Sequence, residues 1–378
     1  MRPLVLVMVL ALVAVACGDD DAGTTTTAAE ETTTTAGEET TTTAGEETTT
    51  TAAADPLVAD FNGDGKVVIG VATDGPRDDG AYYQALVDKI TEISTDQGFE
   101  APIVVDMIEA ANAAQELRNI AEQGADIIAV GSGALAEGLP EVVADFPEVF
   151  WYCNCGSGYP ATEGMLISHD RGAELWLSGG YAAGLLLQER GGTEAVFIGC
   201  CDLDFEKESF AAFELGLSLV DESYTAVYVA TGAFPYDFNN TAAATEAYQN
   251  AKAEGAMVIV PFLGGAHEPV VQLANTDGLV VMTAGSSKGC ERDDLAYDFE
   301  VKFDTGDYVQ PIFDDIFAGT AEEGGIRTFT VGIDDEVGAE FCDATAEQVA
   351  ALDDFNARIG AGEFEDAIYQ ILADAYGF

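Results

Sequence analysis

The sequence predicts an α/β protein in which two lobes each carry a doubly wound parallel sheet. Three observations support that class. Short Val- and Ile-rich runs alternate with helical stretches from Lys66 to the C-terminus, as parallel strands covered on both faces by helices require. The 323 residues from Pro56 onward exceed what one hydrophobic core usually organises. Polar turns follow several of the runs, at the strand ends where such sheets hold ligands.

Residues 1–16 read MRPLVLVMVLALVAVA, with one cation at Arg2 and an apolar run from Leu4 to Ala16. That run is too short to span a bilayer and has the build of a secretory signal. Ala14 and Ala16 before Cys17 resemble a lipobox, with Ala14 where Leu is usual. The expected product is an extracytoplasmic chain anchored to the cell membrane by lipidated Cys17, since two acyl chains suffice for stable anchoring; plain cleavage near Ala16 and release is the alternative. Residues 17–55 repeat TTTT with AAEE or AGEE and contain no aromatic residue. Such a segment cannot offset its folding entropy, so it is read as a tether spanning about 30 to 40 Å.

Strands are expected at VVIGVAT (67–73), IVVDMI (103–108), DIIAVG (126–131), VFWY (149–152) and MLISH (165–169). Further runs are AVFIG (195–199), AVYVA (226–230), MVIVPF (257–262), LVVMTA (279–284) and FTVGI (329–333). Helices are expected over Gly80 to Thr95 and around Ala113 to Gln123.

The chain carries 14 Lys+Arg against 68 Asp+Glu, a formal net charge of -54. Only 10 of the acids and one base precede Pro56, so the folded part keeps a net charge near -45. Such a surface repels polyanions and excludes nucleic acid as a partner. It favours a neutral or cationic solute and fits a saline medium, where the self-repulsion is screened.

Six cysteines remain after Cys17: Cys153, Cys155, Cys200, Cys201, Cys290 and Cys342. Outside the cytoplasm an even number implies disulfides. Their spacings do not fit zinc sites, and only His169 and His267 are available as partners, so no metal is expected. Connectivity is not readable from spacing; a Cys290–Cys342 pair is the expectation, and the vicinal Cys200-Cys201 is read as a structural disulfide rather than a reactive thiol pair.

Three motifs resemble catalytic or cofactor sites and lack their partners. Gly285-Ser286-Ser287-Lys288-Gly289 fits a nucleophile elbow, but no histidine follows it. Gly131 to Ala136 fits a dinucleotide fingerprint, but the next strand ends at Asn154 instead of an acid. Asp60 to Gly65 matches half an EF-hand loop, yet position twelve is Val71, so a turn into the first strand is the better account. The chain is read as no enzyme and as needing no cofactor.

After the first strand comes Thr73-Asp74-Gly75-Pro76-Arg77-Asp78-Asp79-Gly80-Ala81-Tyr82-Tyr83-Gln84. This turn resembles the strand-one loop of the basic membrane protein (Bmp/PnrA-like) family of ABC-transporter substrate-binding lipoproteins, with Asp79, Tyr82 and Tyr83 matching its Asp, Phe and Asn. AVFIGCCDLDFEKESFAAFELG (195–216), SGGYAAGLLL (178–187) and GAMVIVPFLGG (255–265) resemble later family segments, in the same order.

The resemblance implies a bilobed periplasmic-binding-protein-like fold with a three-crossing hinge. Lobe one would take 66–168 plus 284–326, and lobe two 169–283 plus 327–378. It implies a monomer that encloses a small solute, nucleoside-like by analogy, and delivers it to an ABC permease and ATPase complex; a ligand-sensing ectodomain subunit is the alternative. Rings would come from Tyr82 or Tyr83 and from Phe238, acceptors from Asp79 and Asp202, and polar edges from Asn239 and Asn240, with Gly265 in the Gly-Gly turn. Asp79 also stands where a helix N-cap is expected, and Phe238 where a packing plug is. Where the family has a sugar-binding acidic turn this chain has Gly285-Ser286-Ser287-Lys288, and Lys302 stands one place beyond the family lysine. A missing ribose carboxylate removes a bond of roughly 1.5 to 3 kcal/mol.

Overall fold

The computed structural model describes residues 56–377 apart from 157–158, 233–236 and 287. The expected signal, Cys17 and tether lie outside the described residues. The chain first runs β1 (Ile69–Ala72), α1 (Tyr82–Gln97), β2 (Ile103–Val105), α2 (Ala113–Glu122), β3 (Ile127–Val130), α3 (Leu139–Asp145), β4 (Phe150–Asn154) and β5 (Met165–Asp170). A second group follows: α4 (Gly172–Arg190), β6 (Glu194–Gly199), α5 (Asp204–Val220), β7 (Thr225–Ala230), α6 (Thr241–Glu254), β8 (Val258–Pro261), α7 (His267–Asp277), β9 (Val280–Ala284) and β10 (Phe299–Lys302). Then come α8 (Thr305–Ala318), β11 (Ile326–Phe329), β12 (Gly338–Phe341), α9 (Ala346–Gly360) and α10 (Glu365–Tyr376).

The strands form two six-stranded sheets, ordered β11-β5-β4-β3-β1-β2 and β12-β10-β9-β8-β6-β7. Every pairing is parallel except β10 with β12. Leu86 and Ile90 of α1, with Val309 and Phe313 of α8, cover one face of the first sheet; Leu117 of α2 and Val142 of α3 cover the other. In the second sheet, Trp176 of α4 and Phe213 of α5 pack on Phe197 and Met282, while Tyr248 and Val270 pack on Ile259 from the opposite side. The two-faced burial is why the strands read as apolar runs without alternation.

The glycines of the 178–187 and 195–216 segments have a packing cause. A side chain on Gly180 would collide with the Phe213 carbonyl, and one on Gly216 with the Leu177 carbonyl. Bare backbone lets α4 and α5 meet.

The chain passes between the sheets three times: from Asp170 into α4, from Lys302 into α8, and after Phe329. The second passage corrects the expected boundary at 283/284, because β10 pairs with β9 and extends the second sheet. The FTVGI strand is also corrected. Only Phe329 belongs to β11; Thr330 N donates to Asp334 Oδ2 at 2.8 Å and Ile333 N to the Thr330 carbonyl at 3.1 Å, turning the chain there. At Asp60 to Gly65 the carboxylate of Asp60 accepts from Asp64 N and Gly65 N at 3.1 and 2.9 Å, closing a turn before β1.

Candidate functional site

The carboxyl ends of the strands gather polar and aromatic groups from both sheets. On the first sheet, the Tyr83 hydroxyl donates to Asp74 Oδ1 at 2.7 Å, and its ring leaves no room for a side chain at Gly75. Tyr82 packs edge-on against Tyr83 and lies 6.4 Å from Phe303, centroid to centroid. Thr305 donates its hydroxyl to the Tyr82 carbonyl, which fixes the start of α1 to the second crossing. Burial holds both tyrosine hydroxyls protonated far above the usual range.

Asp79 accepts from the backbone amides of Ala81, Tyr83 and Gln84 at 3.0 to 3.3 Å. It caps α1, satisfying amides that helix geometry leaves without partners. Three groups at this corner had no signal in the family motifs. Asn154, 1% exposed, ends β4 with neither amide atom hydrogen-bonded to any of the described residues. Asp170 ends β5, where burial pushes its carboxyl up to about 6. Tyr308 of α8 donates to Asp170 Oδ2 at 3.3 Å.

The second sheet contributes a connected set of rings. Trp176, Phe262 and Phe303 lie within 4.9 to 6.0 Å of one another, and Phe205 extends the set from Phe262 to Phe238. Phe238 is stacked on Phe205 at 6.4 Å. Its loop is held by Gly264 N donating to the Phe238 carbonyl at 3.1 Å and Gly265 N donating to Asn239 Oδ1 at 2.7 Å. Asn239 and Gly265 are thus brought together, whereas Asn240 caps α6 by accepting from Ala243 N.

After β6, Cys200 and Cys201 form a vicinal disulfide; the other disulfides join Cys153 to Cys155 and Cys290 to Cys342. Glu206 accepts from Cys200 N, Cys201 N and Leu203 N at 2.5 to 3.1 Å. Asp202 has φ +57, its amide donates to the Tyr228 hydroxyl at 3.0 Å, and its side chain is exposed. Glu206 therefore ties down the amides on either side of Asp202.

Lys302 faces away from the ring set, whereas Ser286 follows Gly285, where a side chain would touch the Phe303 ring and Tyr82. Ser286 lines a groove of about 100 Å³ with Gly80, Gln84 and Lys288. Lys302 pairs with Glu340 at 3.2 Å in a cavity of about 480 Å³ whose walls include Lys89, Glu300 and Asp307. Strand alternation turns Lys302 away from the face that Val301 and Phe303 share with the α4 core. His267 is structural: Nδ1 lies 2.7 Å from the Pro261 carbonyl and Nε2 3.3 Å from the Tyr297 hydroxyl. Phe303 escaped the sequence reading because β10 did, although FEVKF alternates apolar and charged residues as a strand does.

The family model described as "ABC transporter substrate-binding protein PnrA-like" matches residues 66–289. No curated protein sequence matches the chain. A solute-binding protein of an ABC transporter system from Conexibacter woesei DSM 14684 has a similar structure, with TM-score 0.63 and 18% identity over 79% of this chain and 97% of that one. A second, from Aeropyrum pernix K1, gives 0.59 and 14% over 82% and 92%. A transcriptional activator of the comK gene from Bacillus halodurans gives 0.60 and 17% over 77% and 96%. At these identities the likeness speaks for the fold.

Proposed function

The chain belongs to the Bmp family of PnrA-like ABC-transporter substrate-binding proteins, and from that premise we propose that it captures a nucleoside-like solute between its two lobes outside the cytoplasm, held to the membrane through Cys17, and delivers it to an ABC importer. One observation supports the placement of the ligand. Tyr82 of the first lobe and Phe303 of the second stand 6.4 Å apart at the strand ends. A planar ring needs about 7 Å between two rings to touch both, so a small hinge opening admits one.

The polar groups suit hydroxyls or a cation more than an anion. Asp170 and exposed Asp202 offer acceptors, while Lys302 is paired with Glu340. Arg171 is likewise paired, at 2.6 Å from Glu174 and 2.9 Å from Glu365. With Asp79 occupied as a helix cap, ribose recognition rests on acceptors other than that one.

Thermal-shift screening of the purified chain with nucleosides, nucleobases, sugars and amino acids tests the proposal. A nucleoside is expected to raise the melting temperature. If none does while another solute does, the nucleoside assignment is wrong.

A further inference from the structure

The Asn154 side chain is 1% exposed, and neither its carboxamide oxygen nor its nitrogen has a hydrogen-bonding partner among the described residues. A buried carboxamide left in that state costs about 1 to 3 kcal/mol, and nearly all such groups in native proteins are paired. Its position narrows what would pair it. Phe150 and Tyr152 of β4 belong to the core under α1 and α8, whereas Trp151 and Cys153 belong to the opposite one. Alternation therefore puts Asn154 on the α1 and α8 side, at the end of its strand nearest the start of α1.

Two neighbouring polar groups on that side already have protein partners. Ser168, the register partner of Asn154, shares a 2.8 Å hydrogen bond with the Tyr152 hydroxyl. Asp170, two residues further along β5, takes the Tyr308 hydroxyl on one oxygen. Strand spacing and rise set Asn154 and Asp170 about 8 Å apart at Cα. A carboxamide offers an acceptor and a donor side by side, and a carboxyl beside it supplies a further acceptor or, when protonated, a donor.

Resting on the nucleoside-like reading above, we propose that Asn154 and Asp170 are specificity-determining residues that read a ligand edge presenting a donor beside an acceptor, such as the lactam edge of a nucleobase. Asn154 forms the paired hydrogen bonds to that edge, and Asp170 meets the adjoining polar atom. A site built this way discriminates against an analogue lacking the donor, because the protein group is then left buried and unpaired.

Isothermal titration of the purified chain with inosine and with 1-methylinosine, which lacks the lactam N–H, tests the assignment in the wild type, Asn154→Leu and Asp170→Asn. The expected result is at least tenfold weaker inosine binding in Asn154→Leu, with the preference over 1-methylinosine collapsing to near unity. Asp170→Asn is expected to weaken inosine binding as well. The unliganded melting temperature of Asn154→Leu should stay level or rise, since the substitution removes an unpaired polar group. A fall in that melting temperature shows a structural carboxamide and overturns the proposal. Inosine binding at wild-type strength in Asn154→Leu overturns it while leaving the nucleoside reading intact. A wild type that binds no nucleoside overturns that reading and this proposal with it.

Discussion

Tyr308 on α8 donates its hydroxyl to Asp170 at the end of β5, across 3.3 Å. The bond joins the first crossing between the lobes to the helix that follows the second crossing, so the state of one carboxyl bears on the hinge. Despite this donor, burial pushes Asp170 up to about 6, and it pushes Glu174 and Glu300 up to about 7.

Stability should therefore rise as the medium is acidified from pH 8. These carboxyls ionise near 4 in the unfolded chain, so between that value and 6 to 7 the unfolded state loses protons first. The penalty grows with pH across that window and is complete above it. Asp106 and Asp294 act in the opposite sense: guanidinium partners hold each down to about 2, so their support is lost only as pH falls from about 4 toward 2. Burial holds the imidazoles of His169 and His267 below the usual range, so below about pH 6.5 the unfolded chain takes up their protons first, which opposes the carboxyls. The rise on acidification should flatten in Asp170→Asn, Glu174→Gln and Glu300→Gln; an unchanged slope in all three would refute the assignment.

The disulfides should differ sharply in what they contribute. Cys290–Cys342 spans a sequence separation of 52, for which chain entropy gives up to about 4 kcal/mol. Cys200–Cys201 joins adjacent residues and constrains the unfolded chain by under about 1 kcal/mol. Denaturant titration of the two double-serine variants checks the ratio, and equal losses would contradict it.

Gly180→Ala and Gly216→Ala should each destabilise by about 1 to 3 kcal/mol, since both insert atoms where backbone of the neighbouring helix already sits. Thermal melts of the single variants measure this. Losses below about 0.5 kcal/mol would mean that α4 and α5 separate readily.

Much of the architecture was legible because buried parallel strands write themselves as apolar runs, and β1 to β9 all fall on or within two residues of such runs. β10 and β12 were missed. FEVK and GAEF mix charged residues into short strands at the side of the sheet, where Glu300, Lys302 and Glu340 line one cavity. The missed β10 carried the second crossing and Phe303 with it. At the candidate site the strand-end turns were legible, but the contacts of single residues were not. Asp79 matches a motif position yet caps a helix, while Asn154 stands out only when the absence of partners around it is seen.

Salt should stabilise the fold. The folded part holds 58 of the 68 acids against 13 bases, and at about 1 M salt the Debye length falls to about 3 Å. The melting temperature is expected to climb steadily from dilute buffer to 1 M sodium chloride. A flat or falling curve would remove the case for a saline medium.

A ligand held between Tyr82 and the rings of the second lobe is the central element of the proposed function. Calorimetric titration of nucleosides into the wild type, Tyr82→Ala and Phe303→Ala addresses it directly. One saturable site is expected in the wild type, weakened at least tenfold in each variant, with both variants still melting cooperatively. Wild-type affinity in both variants, or no nucleoside binding at all, would contradict it.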